Sequence, residues 1–202
     1  MRRGNPADNR GFSLIELIVV VLIIGILAGG AALAFSIVYN SDTERAAKNL
    51  YEVFTKARTD AITYNDESTT TKVEIIAYIE QRSNGSYYAG VEKRTTIKTD
   101  PSATPTIENI DEKKISDYHL TLQFGKKLST QSTASELKYD EALYSGAGDG
   151  RMEYSFKRGT GRLDPSNSSS EYCDIYVMDN TGSHVYKLIL STASGKCFIS
   201  ND

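Results

Sequence analysis

What this sequence lacks narrows its chemistry before anything present is weighed. Its 202 residues hold two histidines, His119 and His184, and two cysteines, Cys173 and Cys197. Neither histidine stands at metal-ligand spacing from a cysteine, so no zinc site is expected. No phosphate-cradling loop, nucleophile elbow or dinucleotide fingerprint occurs, and no nucleophile–base set marks a membrane-anchored hydrolase. The carboxylates running from Asp140 and Glu141 to Asp149 and Glu153 lack the one-three-five oxygen spacing of a dedicated calcium loop. Cofactors and metals are therefore not expected, and no internal repeat is present. Charge is missing altogether from Leu17 to Ser41, whereas the chain from Asp42 onward is polar and evenly charged.

The net charge of −3 conceals this division. Arg2, Arg3 and Arg10 precede the apolar run, and residues 42–202 carry 20 Lys+Arg against 24 Asp+Glu, a net −4. A mildly acidic head is a poor electrostatic trap for nucleic acid. With about 160 residues it is large enough to bury one core without metals.

The N-terminal segment 1–11 is short and basic, which keeps that end in the cytoplasm. The apolar run that follows reaches Phe35 and Val38, long enough for the ~20 residues of a spanning helix. It is too long for the ~7–15-residue core of a secretory signal, although Ala32-Leu33-Ala34 offers a small-x-small pattern for one. Arg2-Arg3 is a poor twin-arginine signal, since Asp8 and several other residues separate it from the apolar core. A plain signal-anchor is the remaining bland alternative. Glu16 is the anomaly, because an ionised carboxylate carried to mid-bilayer costs about 2.5–3.5 kcal/mol. Cutting between Gly11 and Phe12 creates an amine four residues before it. One subunit's amine meeting a neighbour's Glu16 would make burial of both charges tolerable.

Gly11-Phe12-Ser13-Leu14-Ile15-Glu16, with the basic leader before it and the unbroken apolar stretch after it, resembles the class III signal of type IV pilins and of type II secretion pseudopilins. The resemblance implies cleavage after Gly11 by a prepilin peptidase, methylation of the Phe12 amine, and a role for Glu16 in docking onto a growing filament. It also implies a single-pass protein with a cytoplasmic leader and an exported head, whose partners are the membrane and other pilin or pseudopilin subunits. The family's usual proline further down the helix is absent, with Leu33 near that position, and Gly29-Gly30 supplies local softness instead.

Past Ser41, apolar residues at 46, 50, 53, 54, 57 and 61 recur at helical spacing, opposite a face carrying Arg45, Lys48, Glu52, Lys56 and Asp60. The helix is therefore expected to run to about Tyr64, its second half (42–64) lying against a sheet. Lys56 to Ile62 looks like the end of this helix in H-type pseudopilins and FimT-like minor pilins. Residues 70–202 read as β-rich. Strands are predicted at Lys72–Glu80 and Tyr87–Val91 around Asn84-Gly85, and at Tyr118–Phe124. A hairpin is predicted for Met152–Phe156 with the region near Leu163, and another for Tyr172–Met178 with His184–Leu190, before a last strand at Phe198-Ile199. Thr95–Asp117, with Pro101 and Pro105, and Gly125–Gly150 read as loops. The expected fold is α+β, in domains 1–11 (leader), 12–41 (membrane and polymerisation helix) and 42–202 (head).

Many type IV pilins clamp the C-terminal part of the head with a disulfide, and the resemblance implies one between Cys173 and Cys197. Strand register argues the other way. In a simple meander both cysteines flank one middle strand, roughly 9.5 Å apart, beyond the ~7 Å reach of a bridge. Either the last segment leaves the meander or no bond forms. Arg151, Lys157, Arg158 and Arg162, with Tyr154 and Phe156 interleaved, form a basic cluster around one predicted hairpin. FimT-like minor pilins are linked to DNA uptake, so this cluster is the candidate nucleic-acid contact, set against the bland reading of a solvated hairpin face.

Overall fold

Alternation of side chains along the strands places two antiparallel sheets on one helical stripe. The computed structural model describes residues 13–64, 69–82, 84–100, 102–116, 120–125, 150–164, 173–179 and 182–201. Gly11 and Phe12 lie outside these residues, as do His119 and the carboxylates Asp140, Glu141 and Asp149. One helix, α1, runs Leu14–Thr63, and the chain divides into two compact units, Met1–Tyr39 and Asn40–Asp202.

In the second unit, the head, α1 presents Ala46, Ala47, Leu50, Val53, Phe54, Ala57 and Ala61 in one fully buried stripe. These are the apolar positions at helical spacing, with Ala47 added. Small residues near both ends let backbones approach closely, while Leu50 and Phe54 fill the middle, each stabilising by about 1.5–3 kcal/mol on burial. The Phe54 ring meets Tyr154 edge-on, with centroids 5.2 Å apart and planes at 81°.

Among the described residues eight strands follow: β1 (Thr71–Gln81), β2 (Tyr87–Ile97), β3 (Thr106–Ser116), β4 (Leu120–Gly125), β5 (Gly150–Phe156), β6 (Asp174–Asp179), β7 (Val185–Leu190) and β8 (Cys197–Asn201). They form two four-stranded sheets, ordered β3-β2-β1-β5 and β4-β6-β7-β8, with every pair antiparallel. Ile75, Ala77 and Ile79 of the first sheet join Ile175, Val177 and Leu188 of the second in one core with the helical stripe.

The region 95–117, expected to be a loop, instead extends β2 to Ile97 and holds the eleven-residue strand β3. The expectation fails because β3 is an edge strand. Ile115 is its one buried hydrophobic residue, and its charged residues guard the open edge against pairing with another chain. Its hold is largely polar. Lys93 pairs with Glu108 at 3.2 Å, Arg82 with Glu112 at 2.8 Å, and Lys113 with Glu52 on α1.

Three segments converge at the C-terminal end of α1. The Gly159 amide donates to the Ala61 carbonyl at 2.9 Å, capping one of the carbonyls that a helix end leaves open. Arg58 Nε donates to the Ser194 carbonyl at 2.9 Å. Gly195, at φ +67°, lies so close that an added Cβ would fall 1.7 Å from the Gly161 carbonyl oxygen. The turn after β5 and the turn between β7 and β8 are thus docked on each other.

Phe54→Ala opens a cavity beneath Tyr154 and is expected to lower stability by about 3–5 kcal/mol in chemical unfolding of the full chain in detergent. Lys48→Ala, on the exposed face of the same helix, should stay within about 0.5 kcal/mol.

Candidate functional site

The described part of the first unit is an apolar helix surface with one acid, Glu16, near its start. Its large apolar side chains from Leu14 to Leu27 are 47–78% exposed, although such surface is driven out of water. Leu14–Ala31 is an 18-residue stretch long and apolar enough to cross a membrane. At 1.5 Å per residue it covers about 27 Å, close to the ~30 Å hydrocarbon core. Ser13 caps the helix, its Oγ accepting the Glu16 amide at 3.3 Å. Ser13-x-x-Glu16 is the spacing of a capping box, and it puts the carboxylate in the first turn, where the helix dipole favours negative charge. This cap was legible in the sequence, as a serine three residues ahead of a glutamate before an apolar run.

The basic cluster does not survive as one patch. Strand alternation turns Met152, Tyr154 and Phe156 into the core, so the two aromatics are unavailable for stacking on bases. Arg151 points to the opposite face, six residues and about 20 Å along the strand from Lys157. There it pairs with Glu153 at 3.0 Å, with Glu80 at 3.7 Å and with Glu92, and its guanidinium lies 4.0 Å from the centre of the Tyr78 ring. Arg94 bridges Glu92 at 2.8 Å and Glu153 at 3.0 Å. Arg151 is therefore removed from the candidate nucleic-acid contacts. Lys157, Arg158 and Arg162 lie together on the turn after β5, where the Lys157 amide donates to the Arg162 carbonyl at 2.7 Å.

Tyr78 is the centre of that outer face. It crosses Gly90, where a Cβ would come within 2.6 Å of the Tyr78 oxygen, and donates to Glu112 at 2.8 Å. Burial alone would push the Glu112 carboxyl up, but hydrogen bonds from Tyr78 and Arg82 outweigh it and hold the group below its ordinary value.

The cysteines keep the meander register. The Leu190 amide donates to the Cys173 carbonyl at 2.8 Å, and Leu190 pairs with Cys197 on its other side. Two strand spacings, about 9.6 Å, separate the two buried cysteines, beyond the reach of a bridge, and the structure joins them in no disulfide. Burial pushes the Cys197 thiol up to about 12. His184 is held by Asp179, Nδ1 to Oδ2 at 3.2 Å, inside the β6–β7 turn. Among the described residues no cluster of three His, Cys, Asp or Glu is placed to hold a metal ion.

Two concavities border the turn after β5. One of about 580 Å³ is lined by Lys72, Lys98, Lys157 and Arg158 but also by Glu74 and Asp164. The other, about 420 Å³, is lined by Lys157, Thr160, Arg162, Leu163, Thr192 and Ala193.

The family model for the prokaryotic N-terminal methylation motif matches residues 6–32. This is the signature of the prepilin-type signal of type IV pilins and pseudopilins, and it covers the cap, Glu16 and the exposed apolar stretch. No curated protein and no solved structure matches the chain.

Two outcomes follow from these sites. Denatured chain should react with two equivalents of a thiol reagent without prior reduction, while native chain at pH 8 should react far more slowly. The Glu112 carboxyl is depressed in the folded state, so its contribution is present above the ordinary value of 4.5 and is lost as pH falls through the folded value. The melting temperature of Glu112→Gln should accordingly fall less steeply than that of the wild type below about pH 5.

Proposed function

We propose that the chain is a pilin-like structural subunit, a minor pilin or pseudopilin of a type IV pilus or a type II secretion-like filament. One observation carries this reading: an exposed apolar helix whose first turn holds a carboxylate, inside a segment matched by the N-terminal methylation motif. In the lipid phase the Leu14–Ala31 surface is satisfied by acyl chains, and in a filament by the same segment of neighbouring copies. Prepilin peptidase cleaves after Gly11, and the new Phe12 amine is methylated. That amine, in the next subunit, is the counter-charge for Glu16 in a medium where an unpaired carboxylate is costly. The basic leader leaves the N-terminus in the cytoplasm and the head exported.

A minor role is supported by the size of the head and its long connections. Resemblance of Lys56–Ile62 to the corresponding helix of H-type pseudopilins and FimT-like minor pilins supports the same reading. A filament-tip subunit that captures DNA or a secretion substrate is the second reading. It retains Lys157, Arg158 and Arg162, which have no carboxylate partner among the described residues.

Glu16→Ala separates a subunit from an anchored protein of another kind. The variant should reach the membrane in normal amount and be processed, yet be absent from sheared filaments. Mass spectrometry of the wild type should find N-methylated Phe12 as the first residue. Normal incorporation of Glu16→Ala would sink the assembly role given to that carboxylate.

A further inference from the structure

Among the described residues most cations of the head are matched by a carboxylate, and four that are not lie together. Arg45, Lys48, Lys56, Lys72, Arg82, Lys93, Arg94, Lys113, Arg151 and Lys187 each face a carboxylate within 4 Å. The side chains of Lys157, Arg158, Arg162 and Lys196 have neither an ion pair nor a hydrogen bond among the described residues. All four belong to the two turns that dock through Gly161 and Gly195. The close approach of those glycines brings Lys157 and Arg162 of one turn opposite Thr192 of the other, along the 420 Å³ groove. Among the described residues no carboxylate lines this groove, whereas the neighbouring cleft contains Glu74 and Asp164. Lys196 closes the second turn, its carbonyl accepting the Ser191 amide at 2.8 Å.

In a head of net −4, cations left unmatched at one joint carry self-repulsion that an anion would relieve. The donors suit tetrahedral oxyanions: a guanidinium able to bind two oxygens, an ammonium acting as a point charge, and a threonine hydroxyl. The described lining residues include no aromatic ring and so offer no platform for stacking a base or a sugar. We infer that the groove between the β5–Leu163 turn and the β7–β8 turn is an oxyanion-binding site for a phosphate group, held by Lys157, Arg162 and Thr192. The phosphate group is carried either by a small anion or by a phosphodiester chain, and without a stacking platform a chain is bound without regard to sequence. The site deepens the second reading, with which it shares Lys157 and Arg162, and does not rest on the filament reading, since Glu16 and the apolar helix take no part in it.

The test uses the full chain in detergent micelles, with pyrophosphate titrated by calorimetry and a random-sequence DNA duplex by fluorescence anisotropy across a salt series. At least one probe is expected to saturate, and Lys157→Gln with Arg162→Gln should weaken it by about tenfold or more. Lys48→Gln, a cation outside the groove, should leave binding within about twofold. Because the contacts of Lys157 and Arg162 among the described residues are made by their backbones, the side-chain variants should melt with the wild type, so weakened binding reports the site and not unfolding. Pyrophosphate binding that duplex cannot displace identifies a small anion, and duplex binding displaced by pyrophosphate identifies a phosphodiester chain. Binding of neither probe, or equal binding by wild type and the double variant, overturns the site. A failed Glu16→Ala experiment would not touch this result, nor would failure here touch the assembly role of Glu16.

Discussion

The head depends on burying one stripe of α1 under two sheets at once. Neither sheet is closed, and each has one inner apolar face that water would penalise. Ala46, Leu50, Phe54 and Ala61 belong to the same buried cluster as the inner residues of both sheets. Because the stripe is narrow and carries alanine near its ends, the sheets can meet along it without a gap, and the bulk of Phe54 and Tyr154 fills the centre. Many of the other contacts described above follow from that closure. The turns after β5 and β7 come together beside the end of the helix, where glycine at 195 lets the turns meet and glycine at 161 lets the first of them lie on Arg58 and Ile62.

Burial on the inside settles where charge goes on the outside. With the inner positions of β1, β2 and β5 spent on the core, their outward positions carry Glu80, Glu92, Arg94, Arg151 and Glu153, which neutralise one another across the strands. Glu112 and Arg82 extend the lattice to β3 and help hold a strand with little apolar anchorage. This internal matching gives the unmatched cations at the joint their significance. The same residue types are neutralised on the sheet and available on the turns.

The first unit obeys the opposite rule. Its described large apolar side chains, from Leu14 to Val38, face outward and build no core. Such a surface is stable in lipid or against copies of itself, and Glu16 is the one group that neither environment satisfies without a cation. A capped first turn makes the carboxylate part of an ordered helix end instead of a frayed one, which limits how a counter-charge can approach it.

Much of this was legible along the chain because it rests on local rules. The uncharged run, the prepilin-type signal and the 46–61 stripe are periodic or contiguous, and hairpin turns such as Asn84-Gly85 carry their own geometry. Even the separation of Cys173 from Cys197 came from counting register through two turns. Tertiary structure alone decided what depends on partners distant in sequence. β3 forms because β2 offers a hydrogen-bonding edge, not because Thr106–Ser116 has a strand-like pattern. Arg151 looked like a neighbour of Lys157 in sequence, but the length of strand between them and the Glu80 and Glu92 side chains of other strands removed it. Lys196 showed no motif at all, and it joins the basic corner because two glycines in separate turns allow their backbones to touch.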